Sequence, residues 1–243
     1  MDYFLEVYGS LPRAGPGSDE LTRRAFEMIP LLPESPRILD VGCGPGMQTV
    51  ELLRRCTGTV VALDFLPEMI DRTNTEADSA GVSDRLETVV QDMKEMTFPA
   101  ASFDVIWSEG AIYNFGFEAG LREFRRFLRP GGYVAVSEAV WLKPHPPTQA
   151  VEFWRDYPEI DTVAAKLKVI KRIGYEVLGH FVFPGSAWTD QYYDPMEKRI
   201  AEKEKDWVGI PEAEAVLCEA RDEISVFRQH SDYFSYAFFI MRS

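Results

Sequence analysis

Three glycines and one aspartate carry most of the chemical signal in this 243-residue chain. An apolar run, Ile38-Leu39-Asp40-Val41, leads directly into Gly42-Cys43-Gly44-Pro45-Gly46. Glycine has no Cβ, so the backbone there can approach a ligand closely, and a helix that follows offers N–H groups at its start. At the carboxyl end of a first strand that combination suits a nucleotide-like ligand. Asp64 ends the next apolar run, 22 residues beyond Gly42, where its carboxylate could accept both hydroxyls of a ribose. The dinucleotide fingerprint needs a third glycine where this chain has Met47, which argues against a nicotinamide cofactor.

These residues need a scaffold, and the pattern around them supplies one. Short β-rich runs at 38–41, 60–64, 86–91, 103–108 and 132–138 alternate with helical runs at 48–55, 67–80 and 118–128. Such alternation predicts a parallel sheet with helices on both faces. Arg129-Pro130-Gly131-Gly132 reads as a sharp stop and turn before the fifth strand. An earlier helix is expected after Ser18 as N-cap, and Leu11–Gly17 cannot be helical. Beyond Glu138 we expect a helix at 160–173, a strand at 175–183, a charged helix at 211–229 and a last buried strand at 233–241. No linker or repeat divides the chain, so residues 1–243 read as one domain. Within it, 1–36 would be an N-terminal lid, 37–138 the core, and 139–243 a C-terminal half with cap material at 184–229.

Five pieces in order, DVGCGPG from Asp40, LDF from Leu63, QDM from Gln91, FDVIWSEGA from Phe103 and LRPGGYVAVSE from Leu128, resemble a class I S-adenosylmethionine-dependent methyltransferase. The flanking RAGPGS from Arg13, SEGAIYN from Ser108 and AWTDQYY from Ala187 are similar to a narrower group of bacterial small-molecule methyltransferases. The resemblance implies a Rossmann-like, seven-stranded, mostly parallel α/β sheet under a helical and aromatic cap, with S-adenosyl-L-methionine as cofactor. It implies that Gly42, Gly44 and Gly46 pack against the methionine part of that cofactor, with Gln48 in the same cofactor set. Asp64 would take the ribose hydroxyls and Phe65 would lie against the adenine. Asp92 would accept from the adenine amino group beside Met93, Ser108 and Glu109 would lie near the amino-acid end and the transferable methyl, and Asp40 would anchor the glycine loop or a bridging water. Arg13 could bind the cofactor carboxylate from a folded-over N-terminal segment.

Glu109, just past the fourth strand, is expected to take a proton from an amine or hydroxyl or to hold a cationic amine; the alternative is a carboxylate that fixes the local backbone or the cofactor's amino group. Tyr113 follows as a second catalytic candidate. Asn114, Glu138, Trp188 and Tyr192 are substrate-binding candidates, because polar groups past strand ends face the crevice of an open α/β sheet and aromatic faces can hold a cation. Trp154 and Tyr157 read as cap core.

The charge balance narrows the partners. With 26 basic and 39 acidic residues the formal net charge is −13, which disfavours nucleic acid and anionic membranes. The longest apolar stretch, 233–241, is about half of a membrane-spanning helix. Three cysteines form no paired framework, which suits a reducing cytoplasm. The expected function is methyl transfer to a small molecule, with an amine or other cationic nitrogen favoured as acceptor. A protein that binds S-adenosylmethionine without turnover is the alternative, since this fold needs no invariant catalytic residue.

Overall fold

The computed structural model describes residues 2–243. One sheet forms the centre, built from β1 (Arg37–Val41), β2 (Thr59–Asp64), β3 (Leu86–Val90), β4 (Phe103–Ser108), β5 (Leu128–Trp141), β6 (Asp161–Thr162), β7 (Glu176–Val182) and β8 (Phe234–Arg242). The strand order is β3-β2-β1-β4-β5-β8-β7, with the two-residue β6 pairing beside β5. The first five strands are parallel, and β8 inserts antiparallel between β5 and β7. This is the seven-stranded, mostly parallel Rossmann-like arrangement, extended by one short strand.

Residues along each strand alternate between two cores, as pleating demands. Ile38, Val60, Val105 and Ala135 face one side, with α2 (Asp19–Glu27), α3 (Met47–Arg55) and α10 (Pro211–His230). Leu39, Val61, Ile106 and Val134 face the other, with α5 (Phe117–Phe127) and α7 (Val163–Arg172). Chain direction reverses across the sheet at β1, because β2 and β3 lie on one side of it and β4 on the other. No helix can cover the carboxyl ends at that point, so a crevice opens there.

Several boundaries differ from the sequence expectations. The fifth strand starts at Leu128, not after a turn, because Phe103 pairs with Leu128 and Val105 with Tyr133. Arg129–Gly132 is therefore an irregularity inside the pairing, allowed by Gly131 at φ 76°. The helix expected at 160–173 begins only at Val163, since Asp161 and Thr162 pair with the end of β5. A short α1 (Tyr3–Val7), capped by Asp2, was not foreseen.

The cap comprises α6 (Thr148–Phe153), α8 (Ser186–Trp188), a π-helical segment at Thr189–Tyr193, α9 (Asp194–Lys203) and α10. The N-terminal segment docks on it. Tyr3 packs edge-on against Trp207 at 5.1 Å, and Glu6 pairs with Arg199 at 2.9 Å and Lys203 at 2.6 Å. Among the described residues no helix is long and apolar enough to cross a membrane.

The centre of the first core is aromatic: Phe238 is fully buried and packs on Trp107, Phe181 and Phe183 at 5.5 Å each. Phe238→Ala should cost about 3–5 kcal/mol by leaving a cavity, whereas Val208→Ala, at a 74% exposed position, should stay within about 0.5 kcal/mol. Denaturant midpoints of the two variants check this, and equal midpoints would overturn it.

Candidate active site

The crevice holds two adjoining chambers. The first, about 430 Å³, runs past the carboxyl ends of β1, β2 and β3 and is bordered by Gly42, Gly44, Asp64, Phe65 and Asp92. The second, about 560 Å³, lies under the cap and is lined largely by aromatic side chains, with Trp188, Tyr192 and Tyr236 among them. Tyr8, Gly15, Gly110, Tyr113 and Asn114 belong to the walls of both, so the two are joined.

Local hydrogen bonds shape the first chamber. Leu63 O accepts from Gly42 N at 2.8 Å and from Cys43 N at 3.0 Å, which ties the glycine loop to β2. Asp64 adds a second tie: its Oδ2 accepts from Gly44 N at 2.9 Å and its Oδ1 from Leu66 N at 3.0 Å. A carboxylate offers about four lone-pair sites, so each oxygen retains capacity for a ligand hydroxyl. Gln48 Nε2 donates to Cys43 O at 2.7 Å and braces the loop from α3. Asp92 Oδ1 accepts from Lys94 N at 2.8 Å, which orients that carboxylate on the chamber wall beside Met93. Phe65 is 63% exposed on the same wall. A flat exposed ring, two oriented carboxylates and a glycine-rich loop suit a nucleoside, so these residues fit an adenosine-bearing cofactor.

Gly42 stays free of a side chain for packing reasons as well: a Cβ there would stand 2.4 Å from Ala111 Cβ, and its φ is 74°. Gly46 is a correction. It lines neither chamber, and a Cβ on it would meet Thr73 Cα at 2.7 Å, so it serves the close approach of α4 (Pro67–Ser79) to the loop.

Three other expected site residues also face away from both chambers. Asp40 points into the helix layer, where Thr49 Oγ1 donates to its Oδ2 at 2.6 Å. Burial pushes its carboxyl up to about 7, and its Oδ1 has no protein partner. Ser108 is fully buried and its Oγ donates to Val41 O at 2.9 Å, joining β4 to β1. Glu138 is buried against α7, where Lys166 at 2.8 Å and the Tyr157 hydroxyl engage one oxygen. Desolvation favours such pairing of buried charges, and so Glu138 braces α7 rather than facing a ligand.

Glu109 does line the first chamber, yet its carboxylate is heavily engaged. Oε1 accepts from Trp107 Nε1 at 2.8 Å and Thr22 Oγ1 at 2.7 Å, and Oε2 faces Arg13 at 3.4 Å. Burial raises its pKa while Arg13 and the two donors pull it back. Arg13 in turn donates to Asp19 at 2.6 Å and to Gln191 at 3.2 Å. The N-terminal segment is thereby fastened across the mouth of the first chamber to α2 and to the π-helical segment.

Tyr113 and Asn114 sit in the short turn Ile112–Asn114, held partly by Asn114 Nδ2 donating to Ala111 O at 3.2 Å. Trp188 and Tyr192 border the second chamber. Several of its other walls are not marked out in the sequence. Trp154 and Tyr157 pass for cap core by composition, and Glu223 passes for one more charge on a solvated helix. The signal was helical phase: Ala220, Ile224 and Phe227 are buried, and Glu223 stands on their face of α10.

Residues 38–132 match the family described as methyltransferase domain. Over 127 residues the chain is 32% identical to the 27-O-demethylrifamycin SV methyltransferase of Amycolatopsis mediterranei, covering 52% of this chain and 46% of that protein. Over 155 residues it is 30% identical to a sterol 24-C-methyltransferase of Gibberella zeae, covering 59% of this chain and 40% of that protein. The matched region thus spans less than half the length of either relative. A solved structure of a SAM-dependent methyltransferase from Geobacter sulfurreducens, in complex with S-adenosyl-L-homocysteine, superposes with a TM-score of 0.87 at 18% identity, covering 99% of this chain and 97% of that one. The chain is thus similar in sequence to a methyltransferase domain over residues 38–132, and it shares the fold of that solved structure over nearly its whole length.

Proposed function

We propose that the chain transfers a methyl group from S-adenosylmethionine to a small-molecule acceptor, and that the acceptor is an amine. The observation that carries this reading is the pair of joined chambers, one built for an adenosine and one aromatic, meeting at Gly110, Tyr113 and Asn114. The relative from Geobacter sulfurreducens, solved with S-adenosylhomocysteine, supports the choice of cofactor.

When bound, the cofactor supplies a methyl group on a sulfonium, which is already activated for in-line displacement. The chain's own task is then to orient two ligands and keep water away. Asp64 would hold the ribose hydroxyls, Asp92 the adenine amino group, and Phe65 one face of the base. Tyr113 and Asn114, at the junction, would set the position of the acceptor. An amine that arrives unprotonated needs no general base. Glu109 is then a positioning residue: it holds Arg13, and Arg13 holds the N-terminal segment over the first chamber.

Asp64→Ala should weaken S-adenosylhomocysteine binding at least tenfold by calorimetry, and an unchanged Kd would remove Asp64 from the cofactor site. Methyl-labelled S-adenosylmethionine, incubated with the protein and a fractionated cell extract, should label a small-molecule fraction. Label found in macromolecules alone would overturn the small-molecule acceptor. Arg13→Ala strips a buried carboxylate of its cation and should cost about 3 kcal/mol, while adding Glu109→Gln should restore part of that loss. Urea unfolding of the single and double variants measures it, and a double variant less stable than the single would contradict the coupling.

A further inference from the structure

We propose that the second chamber holds an acceptor that carries an organic cation apart from its nucleophilic atom, with Glu223 as the counter-charge of that cation. The proposal deepens the methyltransferase reading and rests on it, because it takes this chamber as the acceptor's.

The charge pattern of the walls comes first. Among the described residues lining the second chamber there is no lysine, arginine or histidine. An acceptor held by its carboxylate or phosphate would find no cation there. The lining carboxylates are Glu223 and Asp156, and Asp156 lies at the surface beside Arg155 at 3.7 Å.

Glu223 is settled differently from the other carboxylates around the crevice. Glu109 has Arg13, Glu138 has Lys166, and Asp64 has two backbone N–H groups. Asp40 has a hydroxyl donor but faces neither chamber. Glu223 borders a chamber, and among the described residues its side-chain partners are phenols: Tyr193 donates to Oε1 at 3.1 Å, Tyr8 donates to Oε2 at 3.3 Å, and the Tyr192 hydroxyl also faces the carboxylate. Phenols fix the direction of a carboxylate without cancelling its charge, and acceptor capacity remains on the carboxylate. A half-buried charge without a counter-ion is costly. A ligand cation in the chamber would supply that counter-ion.

The surrounding faces suit the same ligand. Trp188 and Tyr192 of the cap and Tyr236 of β8 are buried, and Trp154 stands against Tyr236 with ring centroids 6.4 Å apart. Aromatic faces attract a desolvated cation, most strongly tryptophan. An apolar chamber alone would accept any greasy acceptor, and the carboxylate among the rings makes the distinction. The formal charge of −13 on the chain also raises the local concentration of cations.

The test uses choline and its neutral carbon isostere, 3,3-dimethylbutan-1-ol, on the whole protein saturated with S-adenosylhomocysteine. Wild type should bind choline at least tenfold more tightly than the isostere. Glu223→Gln, which can still bond the phenols, should lose at least tenfold in choline affinity while its affinity for the isostere stays within twofold. Equal binding of the two probes by wild type, or no binding of choline, would overturn the proposal, and so would an equal loss for both probes in the variant. The wild-type comparison decides the matter even if the variant does not fold. Failure of the wild type to bind S-adenosylhomocysteine would instead overturn the proposed function.

Discussion

The reversal of strand order at β1 is the constraint from which the rest follows. Parallel strands need crossover helices, and those helices cover the faces of the sheet but not its carboxyl ends. Where β2 and β4 leave β1 in opposite directions, backbone polar groups and strand ends would meet water. The chain answers with segments drawn from elsewhere. Residues before α2 cross the opening, and the insertion between β7 and β8 roofs it. The crevice is then wet only where the two chambers reach.

Fastening those segments explains why so many carboxylates lie inside. Burial raises the pKa of Asp40, Asp64, Glu109, Glu138 and Glu223 alike, since a charge is disfavoured away from water. Each has its own compensation, from backbone N–H groups in the loop to guanidinium, ammonium, hydroxyl or phenol elsewhere. The ties that hold the glycine loop are short in sequence, 20 residues for Asp64 to Gly44 and 9 for Asp40 to Thr49. The ties that hold the roof are long, 178 residues for Arg13 to Gln191.

That difference in range also marks what the sequence made legible. The alternating core from 38 to 138 announces itself, because period, turn chemistry and loop length all act locally. Asp64 could be placed at a strand end from its spacing alone, and it lies there. Glu138 could not be read, because its fate depends on Lys166 and Tyr157, which no local pattern brings beside it. Gly46 misled for a related reason: a glycine freed for a ligand and a glycine freed for a neighbouring helix look the same until Thr73 is in place. Arg129–Gly132 carried every mark of a turn, and pairing with β4 overrode it. Glu223 hid among exposed charges of α10, where only its phase against Ala220 and Phe227 set it apart.

The docking of the first helix on the last third of the chain has a consequence for how the molecule comes into being. Glu6 reaches Arg199 across 193 residues and Tyr8 reaches Glu223 across 215. Such contacts are the slowest to form, because the ends of a long loop must be brought together before they gain anything. During synthesis the sheet through β5 can assemble while the N-terminal helix still has nothing to grip. A nascent chain would therefore form its glycine-loop chamber before the aromatic chamber beside it exists.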